Sequence, residues 1–142
     1  MRGRVMGCCE PFAYVANANV AQVDEGGYVP LGEVVHYACG ACTLNGNSVM
    51  CRGKGAFDVS ATLVVSQVDT SGSTPPLLAA TLTQDGQPIQ GGYGAANSSG
   101  TVTIPLHAVI RNDSCSATSV AVMNVGPAVR VNGVSMTVRP IR

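Results

Sequence analysis

The stretch Tyr37 to Cys51, YACGACTLNGNSVMC, holds three of the chain's six cysteines, with Cys39 and Cys42 in C-x-x-C spacing and Cys51 nine residues on. Thiolates so spaced are the ligands of a zinc knuckle or the pair of a redox centre. A knuckle needs a second spaced pair, and the chain offers only Cys115 and the vicinal Cys8-Cys9, so no required metal is expected. A thioredoxin-like centre needs its motif at a helix start within a βαβ unit, and nothing around this stretch reads as helix. A β-hairpin remains, running between a strand that ends near Tyr37 and one that starts near Ala56, with Asn45-Gly46 as its turn. Cys42 and Cys51 then lie on its opposite sides, close to a cross-strand pair. Cys39, Cys42, Cys51 and Cys115 form a candidate thiol cluster. Its members are expected as buried free thiols, or as disulfides if the protein lives outside a reducing cytosol.

Other reactive side chains are sparse. His36 and His107 are the only histidines, and each falls on the polar side or at the end of an alternating strand. No G-x-S-x-G, H-E-x-x-H or phosphate-loop motif accompanies them, so the expectation is cross-strand or surface histidines, no catalytic residue and no cofactor. The carboxylates are scattered, and Asp24-Glu25 in VDEGGY reads as a solvated turn. Tyr93, in GGYGAANSSG with Asn97, is the aromatic best placed for contact with a glycan or host surface from a loop; it could equally pack down on a sheet.

Charge is scarce for a chain of 142 residues: 11% charged against 46% hydrophobic, with Lys54 the single lysine. Typical soluble domains carry roughly 25% charged residues. Such a chain hides part of its surface against copies of itself or builds it from Ser, Thr, Asn, Gln and Gly. Eight basic and eight acidic residues balance without a basic run, which gives no reason to expect a nucleic-acid partner. No stretch reaches the roughly 20 apolar residues of a membrane helix.

Strands must position whatever these residues do. Phe57, Val59, Ala61, Leu63 and Val65 alternate with polar residues, as do Val102 to Ile110 and Val134 to Val138. Shorter runs cover Tyr28 to Tyr37, Leu77 to Thr83, Ala117 to Met123 and Ala128 to Val131. Asp85-Gly86 and Asn132-Gly133 are expected as two-residue hairpin turns, and residues 69–76 and 91–100 as loops. The reading is all-β: a jelly-roll sandwich of about 8–10 antiparallel strands over residues 21–142. Residues 1–20 contain Pro11 and lack a clear partner strand. They are expected as an arm that docks on a neighbour through Cys8, Cys9, Phe12 and Tyr14, or as a disordered terminus. The start, MRGRVMGCCEPF, lacks the apolar core of a signal peptide.

The order GKGAFDVSATLVV, LLAATLTQDGQPIQGGYGAA, GTVTIPLHAVI and VNGVSMTVRPI resembles the compact trimeric jelly-roll module of the tumour necrosis factor and complement-head superfamily. Its bacterial and phage versions are the nearest in character: head-fibre or decoration proteins, and C-terminal domains of exosporium glycoproteins. The 142 residues contain no Gly-X-Y repeat of the collagen type, and a free-standing module or a short-armed virion protein is the expectation. The resemblance implies a homotrimer packed about a three-fold axis, with Phe57, Val64, Val120 and Val122 as candidate interface positions. It implies a non-enzymatic structural role on a virion surface, attached to capsid or tail proteins through the arm and able to touch a host glycan. The alternatives are a bacterial cell or spore surface protein, and a soluble lectin-like β-sandwich; the low aromatic content, 4% with no Trp, speaks against the lectin.

Overall fold

The structure, a computed structural model, describes residues 12–38, 42–68, 76–97, 100–113 and 116–141; for Phe12 and residues 33–38 it describes the backbone alone. Eleven strands occupy these residues. Among them no helix is long and apolar enough to cross a membrane.

The strands form two antiparallel sheets. The first runs β3 (Glu33–Ala38), β1 (Phe12–Asn17), β11 (Val129–Ile141), β6 (Gly55–Gln67), β9 (Thr101–Asn112), with β2 (Ala21–Val23) on one end of β11. The second runs β4 (Cys42–Asn45), β5 (Ser48–Cys51), β10 (Thr118–Asn124), β7 (Leu77–Gln84), β8 (Gln87–Asn97). Alternation decides which residues enter the space between them. Val59, Ala61, Leu63 and Val65 of β6 and Ile104, Leu106, Ala108 and Ile110 of β9 meet Leu78, Ala80 and Leu82 of β7 and Val120 and Val122 of β10 in one buried cluster. Each buried Val or Leu contributes about 1.5–3 kcal/mol of transfer free energy. This is the jelly-roll sandwich that the alternation predicts.

Four local readings need correction. Asn132-Gly133 is no turn: β11 continues through it, with a register shift against β6 between Val131 and Gly133. Val129 and Val131 face the core on one side of the shift, and Val134, Met136 and Val138 on the other, so the inward phase slips by one residue. A β-bulge does this by inserting one residue without reversing the chain. Residues 91–97 are not loop either but the second half of β8. Gly94 reflects crowding: a Cβ there would lie 2.7 Å from Leu106 Cδ2 and 2.8 Å from the Pro105 carbonyl oxygen. β8 passes so close to β9 that a side chain does not fit there.

The run Tyr28 to Tyr37 is divided. Tyr28 bridges Met123 in the second sheet, and the chain then crosses to the first, where β3 begins at Glu33. Pro30 and Gly32 interrupt ladder pairing at the crossing. Phe12–Asn17, expected to lack a partner strand, is β1, paired with both β11 and β3. Residues 1–11 and most of 69–76 lie outside the described residues.

The Asp85-Gly86 turn stands as expected, with φ of 51° and 85° at its two central residues. Both angles are positive, which is the type I′ requirement. Asp85 also ties the hairpin to β10. Its Oδ1 accepts from the Ser119 amide at 2.9 Å and the Ser119 hydroxyl at 3.3 Å, and its Oδ2 from the Thr118 hydroxyl at 2.9 Å. The Ser119 amide leads these bonds in holding the Asp85 carboxyl below the usual aspartate range. Asp85→Val is expected to cost about 1–3 kcal/mol, because a β-branched residue resists positive φ. Asp85→Asn keeps a side chain that tolerates this φ and loses less. A depressed folded pKa stabilises above the unfolded value, so the gap between wild type and Asp85→Asn should close as pH falls below about 4. Denaturant midpoints of all three proteins across that range check both statements; a gap that widens in acid would reverse the assignment.

Candidate functional site

The cysteine hairpin is real, with its turn one residue later than expected: Gly46 and Asn47 link β4 to β5, and Asn45 pairs with Ser48. Cys42 pairs directly with Cys51. Counting from the hydrogen-bonded pair that closes a two-residue turn, Cys42 and Cys51 fall at a non-hydrogen-bonded position, where facing side chains come closest. Both are free thiols, fully buried. Their mutual hydrogen bond, and then burial, push the Cys51 thiol up, so it is no thiolate nucleophile at neutral pH. Cys8, Cys9, Cys39 and Cys115 lie outside the described residues. Among the described residues, no three His, Cys, Asp or Glu side chains converge as metal ligands would.

His107 on β9 hydrogen-bonds Asp58 Oδ1 on β6 through Nε2, and Arg139 Nε on β11 lies 3.7 Å from Asp58 Oδ2. A histidine held by a carboxylate is half of a general-base arrangement. Here it stands on an open sheet face, its side chain 61% exposed, and no hydroxyl or thiol of the described residues is bonded to it. The cluster is a cross-strand ion pair. For His36 only the backbone is described, opposite Tyr14 of β1.

The middle of the first sheet's outward face is built from small neutral side chains, with Asp58 and Arg139 toward one end and Arg130 at the other. Ser60, Thr62, Val64 and Ser66 of β6 lie between Thr101, Thr103, Pro105 and His107 of β9 and Ser135 and Thr137 of β11. Tyr14 of β1, Val109 and Ile141 are its exposed large apolar groups. Three of the four expected interface residues are elsewhere. Phe57, Val120 and Val122 are buried in the protomer's own core, because their parity along β6 and β10 points them between the sheets. Val64 alone lies on the outward face, half-buried, opposite Gly133 and Thr103.

Tyr93 and Asn97 are exposed on β8 of the second sheet, strand positions rather than a loop tip. The same sheet's outward face carries a cleft of about 240 Å³ that sequence reading missed. Tyr28 forms one wall, Asn47 and Ser48 of the β4–β5 hairpin another, and Gly86 and Ser119 close it, over Thr83 and Ala121. Its members come from five segments, and only the sheet order β5-β10-β7 brings them together. No linear motif could have announced it.

No family model and no curated protein sequence matches the chain. Solved structures do match in fold. The globular domain of zebrafish complement 1qA protein superposes with a TM-score of 0.68 at 11% identity, covering 94% of this chain and 98% of that one. Eiger TNF from S. frugiperda gives 0.66 at 12% identity, covering 93% and 94%. PRD1 vertex protein P5 gives 0.59 at 12% identity, covering 94% and 99%. The chain has the jelly-roll fold shared by complement globular heads, tumour necrosis factor ligands and this vertex protein.

Proposed function

We propose that this chain is a non-enzymatic structural module that assembles as a homotrimer and decorates a virion surface, at a phage capsid or tail. The observation that carries the reading is the first sheet's outward face. A broad middle of Ser, Thr, Ala, Pro and Val, with the charges toward its two ends, around Asp58 at one and at Arg130 at the other, suits close packing against a second copy. Only 11% of the chain is charged, and its mean hydropathy is positive. Three copies in a head-to-tail ring would close such a contact on itself. Likeness to a vertex protein supports the virion setting over a bacterial cell or spore surface. In this reading residues 1–11 attach the module to a capsid or tail protein, Cys8 and Cys9 lie in that attachment, and Tyr14, on β1, belongs to the packing face.

Light scattering at micromolar concentration tests it. The expected mass is three times the 14.4 kDa of one chain. Val64→Arg places an unpaired charge on the packing face, and the expected result is dissociation to folded monomers. A wild-type monomer, or a Val64→Arg protein that remains trimeric, would overturn the use of this face.

A further inference from the structure

We propose that the cleft beside Tyr28 is a binding site for a single neutral sugar ring. The inference goes beyond assembly and does not depend on it, since every lining residue belongs to one protomer. Tyr28 lies on the outward side of the second sheet, while its neighbour Val29 is buried in the core. Tyr28 is 39% exposed and offers an apolar platform with a polar tip, and the hydroxyl end lies toward Gly86.

The other groups are hydroxyls and an amide with defined spare capacity. Ser48 Oγ donates to the Asn45 carbonyl at 3.0 Å, Thr83 Oγ1 to the Ala121 carbonyl at 3.4 Å and Ser119 Oγ to Asp85 Oδ1 at 3.3 Å. Each hydroxyl proton is thus committed, and each oxygen is left to accept. The Tyr28 hydroxyl and the Asn47 side chain have no hydrogen-bond partner among the described residues, so both can donate. A ring bearing several hydroxyls, each at once donor and acceptor, matches this mixture, and its C–H face matches the tyrosine.

Charge and size narrow the class. No charged side chain lines the cleft. The adjacent Asp85 carboxylate, held in its ionised form by Ser119 and Thr118, disfavours anions such as phosphorylated or acidic sugars. At about 240 Å³ the cleft is smaller than the roughly 300–1,000 Å³ that encloses a drug-sized ligand, which leaves room for one ring rather than a chain. The site faces away from the first sheet, so assembly through that sheet leaves it open. Three copies in a trimer would turn weak single-site binding into avidity.

The test is NMR titration of the full chain with four methyl glycosides: of glucose, galactose, mannose and N-acetylglucosamine. At least one is expected to shift the Asn47, Ser48, Gly86 and Ser119 amides, with a dissociation constant in the millimolar range. Tyr28→Ala should weaken that binding at least tenfold, and Asn47→Ala, a turn substitution that leaves the sheet intact, about fivefold. Tyr93→Ala discriminates the alternative. Loss of binding in Tyr93→Ala with none in Asn47→Ala would move the site to β8 and overturn the proposal. Silence with all four glycosides, or tighter binding of adenosine than of any glycoside, would overturn it as well. A monomeric protein that still bound the sugar would refute the trimer and leave this site standing.

Discussion

Gly32→Ala is expected to destabilise the fold by about 3–5 kcal/mol, a large share of the roughly 5–15 kcal/mol available to a domain. Two costs coincide there. Gly32 has φ of +79°, which an L side chain adopts only under strain, and an added Cβ would lie 2.6 Å from Asn17 Cβ and 2.7 Å from the Ala16 carbonyl oxygen. The obstacle is the end of β1, and it has little freedom to retreat. Asn17 Nδ2 donates to the Pro30 carbonyl at 3.1 Å, and Asn17 Oδ1 accepts from the Asn19 amide at 2.9 Å. Gly46→Ala is the internal control. Its φ of +64° carries the same kind of strain, but nothing lies within 4 Å of the added Cβ. That variant should lose about 1 kcal/mol. Denaturant unfolding of both separates backbone strain from crowding, and equal losses would show that β1 does not press on Gly32.

Asn124→Asp is expected to cost a further about 3–5 kcal/mol, or roughly 10 °C in melting temperature. The side chain is 1% exposed and joins three segments. Its Nδ2 donates to the carbonyls of Val23 and Pro127, each at 3.0 Å, and its Oδ1 accepts from the Gly126 amide at 3.0 Å. The carboxylate has the same shape, but it would present an anionic oxygen to two carbonyl oxygens in a buried site. Burial and this repulsion would raise the introduced carboxyl's pKa. A raised acid pKa favours the folded state only while the group is protonated, so the variant's deficit should shrink in acid and grow as pH rises past the ordinary aspartate range. Thermal melts at about pH 4 and about pH 7 check the sign; a deficit independent of pH would place Asn124 in a solvated site.

Those two residues mark the limit of sequence reading. Asn124 in SVAVMN and Gly32 in VPLGEVV look like ordinary strand-end and breaker residues. Their weight comes from backbone far along the chain: Asn124 bonds the Val23 carbonyl, 101 positions away. β6 and β9, by contrast, were legible almost residue by residue, because strict alternation has one physical reading, a strand with one face in a core. In β11 the pattern itself carries the bulge. The apolar residues change phase between Val131 and Val134, which marks a bulge, whereas a turn would have reversed the chain. β8 was hidden by its own composition. Glycine signals a loop when it acts through conformational freedom, and at Gly94 it acts through the absence of a side chain.

The class of this protein is legible in its residues alone: an antiparallel sandwich, the Asp85-Gly86 turn, the Cys42–Cys51 hairpin, and a composition low in charge. Those properties are local or additive, set by side-chain parity, positive φ and composition. The tertiary structure decided the rest. It sent Phe57, Val120 and Val122 into the protomer's core and left Val64 outside, because parity along a strand does not say which side the second sheet will cover. It gathered Tyr28, Asn47, Ser48, Thr83, Gly86 and Ser119 around one cleft, because neighbours in a sheet are chosen by non-local pairing, to which positions scattered along the chain give no clue.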